Sequence, residues 1–202
     1  MNKKKRILIL GAGFGGLELS SRLSEALPDQ VEITLIDKNE GFIFGFSKFD
    51  LMLGQSTRPE VTYFYRDISK PSVDFRQETV VSIDPEQRRV ITDKQTYETD
   101  VLVVALGAEY RIDATPGFAE DGHEFYSFEG AIALHDVLEE FKSGKLVIGI
   151  LGQPFKCPPA PCEAAILLDE WFDKRGLRRD IDISVVSQWG VPIPPSPDGT
   201  KT

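Results

Sequence analysis

Cysteine, histidine and long apolar runs are scarce in this sequence, and each scarcity argues against a class of protein or site. Two cysteines in 202 residues are too few for the disulfide framework of a small secreted domain. No run of about 18 apolar residues is present, so we expect no membrane-spanning helix. The two histidines, His123 and His135, have no partners at ligand spacing. We therefore expect no metal site and assign both histidines to surface or capping positions.

Positive charge is also in deficit, because 23 Lys and Arg stand against 32 Asp and Glu, which gives a formal net charge of −9. Repulsion from phosphates therefore argues against a nucleic-acid partner.

Residues 3–6 form a basic run, but the apolar run 7–10 that follows is too short for a signal peptide. With 41% hydrophobic and 27% charged residues, the composition is that of a globular protein, and a cytoplasmic location is the simplest expectation.

Apolar periodicity predicts strands that alternate with helices. Residues 5–10 form a continuous apolar run, which is typical of a parallel strand buried on both faces. Helical spacing follows at 14–26, and a second strand is predicted at 31–36, so the chain begins with a βαβ unit. A further buried strand is predicted at 101–106 and an amphipathic helix at 130–142.

A second strand, helix and strand are predicted at 145–151, 163–174 and 181–186. One βαβ unit cannot bury both faces of its sheet, so we interpret the chain as a fragment whose second domain is incomplete. The predicted fold class is α/β, with a Rossmann-like domain over 1–115 followed by an incomplete second Rossmann-like unit over 116–202.

A glycine pattern lies between the first predicted strand and helix. Gly11, Gly13 and Gly16 form G-x-G-x-x-G: the first allows a tight turn, the second lets backbone approach a pyrophosphate, and the third lets helix and strand pack closely. The helix N-terminus supplies unpaired N–H groups to phosphates. Asp37 ends the second strand, where a carboxylate can accept hydrogen bonds from a ribose. Together these features predict a dinucleotide site, although the loop alone does not distinguish FAD from NAD.

The rest of the chain resembles the two-dinucleotide-binding flavoproteins, in which the N-terminal loop binds FAD. A long insertion follows Asp37, and residues 73–83 and 88–92 are predicted to be strands joined by a turn. Within that FAD-dependent pyridine nucleotide-disulfide oxidoreductase family, the sequence is similar to the sulfide:quinone oxidoreductase and flavocytochrome c sulfide dehydrogenase branch. The segments that carry this similarity are 41–52, 82–85, 101–108 and, most specifically, 155–161 (Phe-Lys-Cys-Pro-Pro-Ala-Pro).

The resemblance implies FAD as cofactor and a redox cysteine, Cys157, beside the flavin. It also implies a set of cofactor-binding residues, in which Lys48 lies near the flavin, Val80 offers its backbone to the adenine and Gly107 lies beside the cofactor. The full implied set is Gly11, Gly13, Gly16, Asp37, Lys48, Val80 and Gly107. The sequence departs from some members of the branch at Ser127, where they carry a further cysteine.

The second βαβ unit lacks the features of a nicotinamide site. In the register of a second G-x-G-x-x-G, Pro154 replaces the second glycine and removes an N–H donor, and Cys157 replaces the third. No acidic residue ends the strand at 181–186. We therefore expect no pyridine nucleotide there, and a thiol before a helix N-terminus has a route to a lowered pKa and a nucleophilic thiolate.

The role of the second cysteine stays open. Cys162 follows Cys157 by five positions and is either a redox partner or, as the pattern favours, an ordinary helix-packing residue. A partner cysteine beyond Thr202 is a further alternative, and Cys157 itself could be only a buried thiol.

These observations predict an FAD-dependent oxidoreductase that passes electrons from sulfide through Cys157 to FAD, and from there to a quinone or cytochrome. One alternative is an NAD(P)H-dependent flavoprotein reductase resembling type II NADH dehydrogenase. Another is a truncated FAD-binding chain without activity. Peripheral membrane association is expected only through a C-terminal part that the sequence does not contain.

Overall fold

The structure is a computed structural model that describes residues 3–152 and 155–188. Its strands are β1 (Lys5–Leu10), β2 (Val31–Asp37), β3 (Gly41–Ile43), β4 (Thr62–Phe64), β5 (Val73–Gln77), β6 (Val80–Asp84), β7 (Arg89–Thr92), β8 (Thr96–Glu98), β9 (Val101–Val104), β10 (Gly144–Gly149) and β11 (Ile181–Val186). Its helices are α1 (Phe14–Ala26), α2 (Ser47–Met52), α3 (Arg58–Val61), α4 (Phe118–Asp121), α5 (Phe128–Glu140) and α6 (Ala160–Lys174). Pro154, which was predicted to disrupt a second nucleotide loop, lies outside the described residues.

The described residues form two compact units. The first contains the residues up to Phe44 together with Pro59–Tyr110, and the second contains Gly45–Arg58 together with the residues from Arg111 onward. Nothing in the structure tests the predicted domain ranges 1–115 and 116–202, which stay a prediction.

A parallel sheet in the order β5-β2-β1-β9 forms the centre of the first unit. Ile7 of β1 lies opposite Ile33 of β2 and Val101 of β9. Ile9, Ile33 and Leu35 are fully buried, and leucines of α1 pack against them. On the opposite face, Leu8 and Leu10 are buried together with Val90. Both faces of β1 are therefore covered, which explains its continuous apolar run, and the predicted α/β fold is confirmed.

β9 is shorter and more exposed than its sequence predicted. It ends at Val104 instead of 106, and Val101 and Val104 are 43% and 58% exposed. β9 lies at the edge of the sheet, so an apolar run here does not mean burial on both faces.

The prediction of one strand over 73–83 was wrong. Two strands occur there: β5 belongs to the parallel sheet and β6 to a separate antiparallel sheet, β6-β7-β8. Glu78 lies between them and is 5% exposed, and its carboxylate accepts hydrogen bonds from Thr92 (2.7 Å), Gln95 (3.0 Å) and Tyr97 (2.9 Å). Because a buried carboxylate needs such donors, this residue fixes the point where the chain leaves one sheet for the other.

The second unit contains β10 and β11, which pair in parallel, and helix α6. α6 begins at Ala160, three residues before the predicted start, because prolines are tolerated in a first helical turn, where N–H groups lack partners anyway. Trp171 of α6 is buried, and its indole N–H donates to Leu53 O at 3.0 Å. His135 Nδ1 lies 3.1 Å from Met52 O at the end of α2, which agrees with one of the two roles, surface or capping, expected for the histidines.

Candidate functional site

The glycine loop between β1 and α1 is packed so closely that two of its glycines cannot carry side chains. Gly11 has φ +96°, and a Cβ on it would collide with the carbonyl oxygen of Ala105. A Cβ on Gly16 would collide with Gly11 O. These two glycines let β1, α1 and the residues after β9 approach one another, as the sequence pattern predicted.

Gly13 differs from the other two glycines because it borders open space. It has ordinary extended backbone (φ −77°, ψ −160°), and a Cβ on it would meet nothing within 4 Å. It is the N-cap of α1, where no side chain of the described residues caps the helix. The first N–H groups of a helix have no intrahelical partners, so bare backbone with unpaired donors faces the space beside Gly13. This arrangement fits a pyrophosphate.

Asp37 ends β2 beside the loop. One carboxylate oxygen accepts from Ala12 N at 2.8 Å, and the other accepts from Asn39 N, also at 2.8 Å. The Asn39 side-chain amide also donates to that second oxygen, at 3.0 Å, so three of the roughly four lone-pair sites of this half-buried carboxylate are used. It can therefore hold the loop in place and still accept a hydrogen bond from a ribose hydroxyl.

Tyr65 also contacts the loop, and the sequence analysis missed it. The side chain is 3% exposed, its hydroxyl donates to Ala12 O at 2.8 Å, and its ring lies 4.7 Å from that of Phe75. Burial, and after it the charge of Asp37, raise the pKa of the Tyr65 phenol above its ordinary value. No motif marks this tyrosine, because its partner lies more than fifty residues earlier in the chain.

The remaining predicted residues of the first unit lie near the same carboxyl end of the sheet. Glu78 N donates to Asp37 O at 3.0 Å, and Val80 follows two residues later at the start of β6. Gly107 has φ +74° and follows the residues that pack against Gly11. The structure thus brings six of the seven predicted cofactor-binding residues to one region, the ligand-binding end of a parallel sheet.

Lys48 and Cys157 belong to the second unit, where Tyr126 lies between them. The Lys48 amine donates to Tyr126 O at 2.5 Å, and the Tyr126 hydroxyl donates to Cys157 O at 3.4 Å. Burial, and after it the charge of Lys156, lower the pKa of the Lys48 amine, while Glu124 opposes this shift. A half-buried cation therefore lies in the same cluster as the predicted redox cysteine.

The backbone of this cluster is held by a carboxylate and a helix cap. Glu124 accepts from Tyr126 N (2.6 Å) and Ser127 N (2.8 Å), and Ser127 caps α5 by accepting from Gly130 N at 2.9 Å. Ser127, where some members of the sulfide:quinone oxidoreductase branch carry a further cysteine, is thus a helix-capping residue in this chain.

Cys157 lies between β10 and α6 and is exposed. The alternative that it is merely a buried thiol was therefore wrong. Its φ is +54°, which is rare for a residue with a side chain and costs about 1–2 kcal/mol. Its carbonyl accepts from Ala160 N at 3.0 Å, so the strained residue leads directly into α6. Cys162 is half-buried on that helix, and both residues are thiols in the structure.

Neither a metal cluster nor a membrane-crossing helix is found in the part of the chain that the structure describes. No group of three or more His, Cys, Asp or Glu side chains is arranged to hold an ion among residues 3–152 and 155–188. Within the same residues, no helix has the length and apolar character needed to cross a bilayer.

Sequence comparison relates the chain to oxidoreductases whose names include a quinone. The alternative NAD(P)H-ubiquinone oxidoreductase C1 of Arabidopsis thaliana is 28% identical over 91% of this chain and 39% of its own length. The type II NADH:quinone oxidoreductase of Staphylococcus epidermidis is 34% identical over 62% of this chain and 31% of its own length. The chain therefore spans less than half the length of the curated relatives it matches.

Structural comparison relates the chain to solved structures that share its fold. The sulfide:quinone oxidoreductase of Aquifex aeolicus has a TM-score of 0.83 and 26% identity, over 90% of this chain and 42% of that chain. NDH2 from Plasmodium falciparum has a TM-score of 0.70 over 91% and 41%, and its 18% identity shows the fold alone. Residues 5–149 match the model of the pyridine nucleotide-disulphide oxidoreductase family, whose members typically bind FAD, and the chain belongs to this family.

Proposed function

We propose that the protein is an FAD-dependent oxidoreductase whose first unit holds FAD at the loop from Gly11 to Gly16. The observation that carries this proposal is the loop itself, in which Gly11 and Gly16 close the turn while Gly13 leaves bare backbone beside open space. In this arrangement the helix N-terminus binds the pyrophosphate, Asp37 accepts from the ribose, and Val80 and Gly107 line the cofactor. When bound, FAD supplies an acceptor for an electron pair.

We further propose that Cys157 carries sulfur. The similarity to the sulfide:quinone oxidoreductase of Aquifex aeolicus supports this role, as do the exposure and strained backbone of the cysteine. Joining a Cys157 thiolate to hydrosulfide forms an S–S bond and releases one proton and an electron pair. The chemistry therefore needs an acceptor of the kind that FAD supplies.

A quinone is the proposed final acceptor. The names of the relatives from Arabidopsis thaliana, Staphylococcus epidermidis and Aquifex aeolicus all include a quinone, although they differ in the donor. The acceptor is therefore better supported than the donor.

An NAD(P)H-dependent quinone reductase is the second candidate function. It is favoured by the sequence relatives, one of which matches 91% of this chain and is named for NAD(P)H. Against it stand Cys157 in place of a glycine and strand β11, which ends in Val186 without an acidic residue. The two candidates share the FAD site and differ in what reduces it.

Anaerobic reduction of the FAD-loaded protein tests the proposed donor. Sulfide should bleach the flavin absorbance of the wild type, whereas NADH should not. Cys157→Ser should retain FAD and lose reduction by sulfide, and Cys162→Ser, the control on α6, should retain most of it. Reduction of the Cys157 variant by sulfide at the wild-type rate would overturn the sulfur-carrying role. Rapid reduction by NADH would favour the second candidate.

A further inference from the structure

Tyr65 holds the carbonyl group of the residue that precedes the central glycine of the loop. Its hydroxyl donates to Ala12 O at 2.8 Å, and the Ala12 N–H donates to Asp37 at 2.8 Å. Both backbone polar groups of Ala12 are thus fixed by side chains from other parts of the first unit. Ala12 itself is fully buried.

The orientation of the next N–H group follows from this contact. A trans peptide is planar, and its C=O and N–H bonds point in opposite directions. Since Ala12 O points towards the buried Tyr65 hydroxyl, the N–H of Gly13 points away from it. Gly13 borders open space, and it caps α1 at the end where anions are stabilised.

We infer that Tyr65 is a positioning residue that aims the Gly13 N–H at the pyrophosphate of the bound dinucleotide. The inference rests on the proposed function, because it assigns a role toward the cofactor that the loop is proposed to hold. The hydroxyl acts in two ways. It fixes the rotation of the Ala12–Gly13 peptide before the ligand arrives, and by donating to the carbonyl it polarises the peptide and strengthens the N–H as a donor.

The surroundings of Tyr65 keep it in the donating state. The phenol is buried next to the Asp37 carboxylate, and both effects raise its pKa, so the hydroxyl stays protonated at neutral pH. Its ring is anchored separately against Phe75. Removal of the hydroxyl alone should therefore leave the ring in place and free only the peptide.

The Tyr65→Phe variant of the full chain tests this role, and Tyr63→Phe is the matched control because Tyr63 is 50% exposed on β4. FAD titration should show a roughly three- to tenfold higher Kd for Tyr65→Phe, which corresponds to one lost hydrogen bond, and no change for Tyr63→Phe. Competition of ADP and AMP against FAD separates positioning from general destabilisation, because only ADP carries a pyrophosphate. Tyr65→Phe should reduce the preference for ADP over AMP.

The outcomes distinguish this inference from the function on which it rests. Unchanged FAD affinity in Tyr65→Phe would overturn the positioning role and leave the FAD site intact. Weaker FAD binding with the wild-type preference for ADP over AMP would also overturn it, because Tyr65 would then act only through the fold. A wild-type chain that binds no FAD would remove the proposed function itself, and the inference with it.

Discussion

Adjacent glycines at the start of α1 should respond in opposite ways to the same substitution. A Cβ on Gly16 would collide with the backbone oxygen of Gly11, whose N–H is held by Ile36 O at 2.7 Å. A Cβ on Gly15 would meet only the side chain of Ala105, at an ordinary 3.7 Å. Both positions are helical, so both gain from the helix propensity of alanine, by up to about 1 kcal/mol.

The balance of these terms sets the expected magnitudes. For Gly16→Ala, the overpacking cost of about 1–3 kcal/mol exceeds the gain in helix propensity. For Gly15→Ala there is no overpacking cost, so only the gain remains. A change of 1 kcal/mol shifts the Tm of a chain of this size by about 2–4 °C. Thermal unfolding followed by circular dichroism without FAD should therefore show a lower Tm for Gly16→Ala than for the wild type, and an equal or higher Tm for Gly15→Ala. If Gly16→Ala were as stable as Gly15→Ala, the described packing of the loop would be refuted.

Two further substitutions test other parts of the structure. Burial alone would raise the pKa of Glu78, but hydrogen bonds from Thr92, Gln95 and Tyr97 outweigh it and lower the pKa below 4.5. The stability that this carboxylate contributes is therefore present above pH 4.5 and is lost as the pH falls through the folded-state pKa. Glu78→Gln should weaken the acid-induced fall in Tm. An identical dependence of Tm on pH in both proteins would contradict the stabilising role of the Glu78 carboxylate. Because Cys157 has φ +54°, Cys157→Gly should unfold at a higher denaturant concentration than Cys157→Ala, by about 1 kcal/mol of unfolding free energy, and equal midpoints would show that the backbone is not strained there.

The sequence predicted the elements whose signals are local. The bounds of β1 and α1 agree with the prediction, because an apolar run and a glycine pattern specify a strand that turns into a helix within a few residues. The loop geometry around Gly11 and Gly16 follows from the same pattern. The proposed cofactor-binding residues of the first unit could be identified from sequence to the extent that this motif fixes their positions.

Features that depend on distant partners were not predictable. Tyr65 reaches Ala12 across the fold, and no spacing rule connects them. Glu78 interrupts a run with strand propensity because three donors from β7, β8 and the turn between them surround it. The segment Gly45–Arg58 belongs to the second unit although it lies between strands of the first in the sequence. Composition alone does not predict to which unit such a segment belongs.

FAD titration of the wild-type chain and of Gly13→Val decides whether the glycine loop is the FAD site. The site beside Gly13 is open, so the variant should fold, while its branched side chain should occupy the place where the pyrophosphate needs bare backbone. We expect stoichiometric binding of FAD by the wild type and a loss of affinity of at least about tenfold, or roughly 1.4 kcal/mol, in the variant. Equal affinity in the two proteins would contradict the assignment of the loop to FAD.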